Sequence, residues 1–175
     1  MTMTLGQRRL ALTAHLVCSV GWLGAVGCFL VLAIVAVTSR DDQRLRAVVL
    51  AMDLTCRWVI VPASLASLVT GVVQALGTRW GLLRHYWVIV KLAINLFATT
   101  ILLIYSRSLQ HLADGAAQGS STGIDLAAST GPSSIVHAGG AMALLLVAVM
   151  LSIYKPRGLT RYGARMQNRS RHSST

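Results

Sequence analysis

Apolar residues run through this chain in four long blocks separated by short polar breaks. Leu10 to Thr38, about Ala47 to Leu76, His85 to Tyr105 and Ile135 to Tyr154 each reach the roughly 20 residues needed to cross a bilayer as a helix. Arg8 and Arg9 ahead of the first block resemble the start of a signal peptide. The length of the apolar stretch and the lack of an Ala-x-Ala-like end predict a retained helix instead. The break from Leu76 to Arg84 is short, so the second and third spans form an antiparallel hairpin. The break from Ser106 to Ser134 is rich in Gly, Ser and Ala and reads as a mobile external connection. The expectation is an all-α fold: a transmembrane antiparallel four-helix bundle over residues 1–155, followed by a disordered basic tail, 156–175.

Composition sharpens the class. Of 175 residues, 54% are hydrophobic and 12% charged, too apolar for a soluble domain of this length. The charged residues are 16 Lys+Arg against 5 Asp+Glu, with no Glu. Arg8, Arg9, Arg79, Arg84 and the tail cations Lys155, Arg157, Arg161, Arg165, Arg169 and Arg171 fall on one side of a four-span topology. Arg40, Arg44, Arg46 and Arg107 fall on the other. The richer side is cytoplasmic by the positive-inside rule, which places both termini inside. Asp41, Asp42, Asp114 and Asp125 then lie outside. The tail reads as topology signal and contact with anionic lipid headgroups. Without aromatic interleaving or a reading module, it does not point to nucleic acid. Cys18, Cys28 and Cys56 are odd in number, lack CxxC spacing and serve as small apolar residues. Gly21, Gly24 and Gly27, with Gly139 and Gly140, permit close helix approach, and a homo-oligomer is compatible with such faces.

The chemistry lies in the polar residues inside the spans. Lys91 interrupts an apolar run, and an ammonium in hydrocarbon costs about 2.5 to 3.5 kcal/mol on insertion scales, so it needs a partner or a task. At 100° per residue, His15, Cys18, Trp22, Phe29 and Ala33 share one face of the first helix. Asp53, Arg57, Ser64, Ser67, Gly71 and Gln74 make a stripe along the second. Arg84, Trp87, Lys91, Asn95 and Ala98 align on the third, and His137, Ala141, Ala148, Ser152 and Lys155 on the fourth. Depth sorts them into two layers: an inner one of His15, Lys91 and Asn95, and an outer one of Asp53, Arg57 and His137. In the outer layer, Asp53 and Arg57 can neutralise each other one turn apart. In the inner layer no carboxylate is at hand for Lys91, whose stem is long enough to snorkel to the headgroups. An intramembrane His on a bundle face is also a candidate axial ligand for haem iron. Lys91 would then be a second ligand or a propionate partner, and Trp22, Phe29 and Trp87 flat apolar walls.

The order of short motifs resembles a known superfamily. Ala14-His15-Leu-Val-Cys-Ser-Val-Gly-Trp22-Leu-Gly24 is similar to the first span of CopD-like and HemJ-like bacterial membrane proteins. Arg57, Pro62 and Gly71 resemble the second-span pattern of the HemJ type. Tyr86-Trp87-Val-Ile-Val-Lys91-Leu is similar to its third-span segment, and Tyr154-Lys155-Pro156 to the end of its last span. The ending from Tyr154 to Gly163 resembles a family of predicted four-span proteins from actinobacteria and relatives.

The resemblance implies a bacterial cytoplasmic (inner) membrane location and a b-type haem held by His15 and Lys91, with Trp22, Asn95, Trp87 and Arg57 around it. Its redox role would draw on membrane quinone or another redox partner. If an enzyme, the protein would be a haem-dependent membrane oxidoreductase like the HemJ protoporphyrinogen oxidases. The CopD side implies instead a permease for copper or another small solute. A third class is an accessory subunit whose polar residues only set helix register.

Overall fold

The computed structural model describes residues 3–77, 82, 85–118, 123–154, 158, 160 and 163–165, with side chains of 123–131 left aside. Its elements are helical: α1 (Leu5–Thr38), α2 (Asp42–Thr55), a π-helical turn (Cys56–Ile60), α3 (Val61–Gly77), α4 (Tyr86–Ala117) and α5 (Gly123–Tyr154). α2, the π-turn and α3 make one continuous rod, so four rods are long and apolar enough to cross a membrane. Around the bundle the order is α1, the α2–α3 rod, α4 and α5, with α5 closing back on α1. Four antiparallel crossings bring the first and last rods' outer termini to the same end, as expected.

Local chemistry marks the helix starts. Thr4 and Gln7 form a reciprocal capping box, the Gln7 N–H donating to Thr4 Oγ1 at 3.3 Å and the Thr4 N–H to Gln7 Oε1 at 3.0 Å. Asp41 caps α2 by accepting from the Gln43 N–H at 3.0 Å. The π-turn has a covalent reason. Pro62 has no N–H, and its ring would clash with the carbonyl of Trp58 one regular turn back. The backbone widens there, and the Val61 N–H donates to the Cys56 carbonyl five residues back.

On α1 the buried residues Trp22, Val26, Phe29, Ala33 and Ala36 alternate spacings of four and three. That spacing is the seam of helices crossing at a shallow angle. Leu45, Val49, Met52, Cys56 and Ile60 answer from the second rod, Ala98 and Leu109 from α4, and Ala138 and Leu145 from α5. Large apolar side chains such as Leu16, Val31, Trp58, Val69, Phe97, Ile104 and Met150 point outward. In water this would be an aggregation surface; in a bilayer it is the lipid-facing one. The protein is an integral membrane, multi-pass helical bundle.

The structure differs from the expected 106–134 connection. α4 continues to Ala117 and α5 begins at Gly123, leaving 118–122 between them. Leu109, Ala113 and Ala116 are buried at helical spacing, and Arg46 Nη1 donates to the Ala116 carbonyl at 3.3 Å. Small side chains that read as loop composition are here what lets two helices pack closely at this end of the bundle. Of the basic tail, the Gly158 carbonyl accepts from the Tyr86 N–H at 3.4 Å, and Thr160 is buried. The Gly163 N–H donates to Thr160 Oγ1 at 3.1 Å and the Ala164 N–H to the Thr160 carbonyl at 2.9 Å; the rest of the tail, with Arg79, Trp80, Arg84 and Lys155, lies outside the described residues.

Candidate functional site

His15 is held by the second rod. Its Nδ1 lies 3.1 Å from the Ser67 carbonyl oxygen and 3.2 Å from Thr70 Oγ1. A carbonyl only accepts, so Nδ1 carries the proton and Nε2 keeps its lone pair. Thr70 donates its own proton to the Ala66 carbonyl at 2.6 Å, leaving its oxygen to accept from His15. Gly71 makes the room: a Cβ there would stand 3.1 Å from His15 Cε1. One turn deeper on each helix, Ser19 and Ser67 pair hydroxyl to hydroxyl at 2.9 Å. The α1–α3 contact is thus a polar seam whose one uncommitted strong acceptor is His15 Nε2, which has no hydrogen bond among the described residues.

Lys91 approaches from the opposite side of the ring. Its Nζ donates to Ser152 Oγ at 2.6 Å, and Ser152 passes its proton to the Ala148 carbonyl at 2.9 Å. Among the described residues the ion pair found is Asp53–Arg57, and Lys91 faces no carboxylate. One and two turns along α4, Asn95 Oδ1 and Thr99 Oγ1 are buried without a partner. An unpaired buried polar atom is costly, so this ridge has unspent hydrogen-bonding capacity. Trp22 is wholly buried two turns along α1 from His15, and Trp87 is half-buried near the start of α4, its ring 6.4 Å from that of His85.

Arg57 does not join them. It lies on the π-turn with an exposed side chain, 3.5 Å from Asp53, and precedes Gly71 by 14 residues, about 21 Å along a helix. Asp53 keeps Oδ1 buried and unpaired.

The half of the bundle remote from the start of α1 holds a constellation that spacing alone did not assemble. His137 Nδ1 donates to the Ser133 carbonyl at 2.7 Å, and its ring stacks on Tyr105 at 4.5 Å and 23°. The Tyr105 hydroxyl bonds Ser134, and Phe29 meets Tyr105 edge-on at 6.3 Å. Tyr105 was legible only as a lone phenol ending an aliphatic run. Beside these rings is a cavity of about 220 Å³ between α1, the π-turn, α4 and α5; neither His15 nor Lys91 lines it.

The cysteines are free, and no group of three or more His, Cys, Asp or Glu converges among the described residues. No family model, no curated protein and no solved structure matches the chain.

Proposed function

We propose that the protein is a CopD/HemJ-like bundle of the bacterial cytoplasmic membrane that binds one b-type haem near its inner end, His15 Nε2 ligating the iron. The observation that carries this reading is the fixed tautomer of His15. A metal-binding imidazole characteristically donates its other ring N–H to a backbone carbonyl, which orients the ring and raises its basicity. Here Ser67 and Thr70 supply that arrangement ready-made. Lys91 is the partner for a propionate or the second axial ligand, and Asn95 offers a buried amide with an unpaired oxygen beside it. Trp22 supplies an apolar wall.

When bound, the haem would provide one-electron chemistry in a low-dielectric interior. The chain's own residues hold the ring nitrogen in register, exclude water from α1 and α3, and keep a cation near the cofactor's carboxylates. With both ends cytoplasmic, the basic tail meets anionic headgroups on the same face.

The test is a reduced pyridine-haemochrome spectrum of protein purified in detergent from haem-replete cells. A stoichiometric b-type spectrum is expected, abolished in His15→Ala and retained in His137→Ala. Colourless wild-type protein overturns the reading. Copper uptake that depends on His15, Cys18 and His137 in such colourless protein would favour a permease instead.

A further inference from the structure

The outer cavity has a composition that specifies its guest. Its walls come from all four rods, and nearly all are hydrocarbon. Phe97, Ile101 and Val136, on its rim, are exposed where lipid would lie, so the cavity opens to the bilayer rather than to water. A molecule reaching it must be lipid-soluble. Its volume of about 220 Å³ exceeds the roughly 150 Å³ of an engineered apolar cavity that takes up benzene, so a substituted ring fits.

One wall is aromatic. Phe29, Tyr105 and His137 form an edge-to-face and stacked series, and Phe97, on α4 with Tyr105, also lines the cavity. Such an array favours a flat ring over a flexible acyl chain. The polar element is directional. His137 Nδ1 is committed as donor to Ser133, and the Tyr105 hydroxyl is committed to Ser134. His137 Nε2 remains an acceptor without a partner among the described residues, at the edge of an apolar chamber. It asks for a hydroxyl donor. The back wall includes Cys56 and Ile60 of the π-turn, a local widening that recurs at binding sites.

We propose that this cavity binds a lipid-soluble hydroquinone, its ring against Tyr105 and His137, one hydroxyl donating to His137 Nε2, and its tail leaving between α4 and α5 into the bilayer. The site shares no ligand residue with the haem reading, so either stands if the other fails.

Decylubiquinol, kept reduced and titrated calorimetrically into the protein in lipid nanodiscs, tests it. Saturable 1:1 binding above the partition seen with empty nanodiscs is expected. His137→Phe keeps the stack and removes the acceptor, and should weaken binding by about tenfold. Gly140 lies on the cavity wall and an added Cβ there meets nothing within 4 Å, so Gly140→Leu is the variant chosen to add side-chain volume at that wall. It should weaken binding by at least about tenfold, with helicity and elution volume unchanged. Leu12→Ala, exposed on α1 and away from the cavity, should bind as wild type does. Binding indistinguishable from empty nanodiscs overturns the proposal. So does hexadecane competing equally well while His137→Phe has no effect, which would make the cavity an acyl-chain crevice.

Discussion

His15 and Lys91 solve opposite problems with the same residue type. Each is a titratable group anchored by a serine on a neighbouring helix: His15 by the backbone of Ser67, Lys91 by the hydroxyl of Ser152. For His15 the hydrogen bond sets which nitrogen is free. For Lys91 it offers only a neutral acceptor, which does not offset the cost of a desolvated ammonium. Lys91→Met should therefore raise stability in detergent, by an amount on the order of 1 kcal/mol, read as a higher midpoint of thermal unfolding. If Lys91 serves the haem, the same variant should lose cofactor, separating a functional cost from a structural one. Gly71→Ala places a methyl 3.1 Å from His15 Cε1 and 3.4 Å from Nδ1, displacing the imidazole from Ser67. Because interhelical hydrogen bonds in membranes average about 0.6 kcal/mol, the stability loss should be near 1 kcal/mol. Haem retention should fall far more, since ligand orientation is what the methyl disturbs.

At the scale of elements, the second rod decides the most. Its π-turn accommodates Pro62 while the buried row from Asp53 through Cys56 and Ile60 to Ser64 and Ser67 continues across it. The same widening backs the outer cavity. The start of α2 and the end of α4 form a second contact zone, tied by Arg46 to the Ala116 carbonyl and packed through Leu45, Leu109 and Ala113. Arg46→Ala should loosen it locally. Amide hydrogen exchange over the last two turns of α4 should speed up by about fivefold or more, the transmembrane part remaining protected. Gly, Ser and Ala are as suited to a tight helix contact as to a loop, and only a packing partner tells them apart.

For the whole molecule, an even number of crossings and the charge bias predict where the ends lie. A fluorescent protein fused after Thr175 should glow and an alkaline phosphatase fused there should be inactive, because the cation-rich side stays in the cytoplasm. The reverse result would invert the bundle and put His15 and Lys91 in the outer leaflet. What the sequence by itself determined is the bundle and its inward faces: hydropathy over about 20 residues and a 100° period are local properties, carried by each helix alone. Trp22, Phe29, Ala33, Ser64 and Ser67 could be placed inside on that basis, and they are buried. The partner of each polar group was decided by the tertiary structure, because it depends on which helices are neighbours and at what phase. Ser152 facing Lys91, Ser67 holding His15, and Tyr105 stacking on His137 are set by the ring order of four rods, which no period within a single helix encodes.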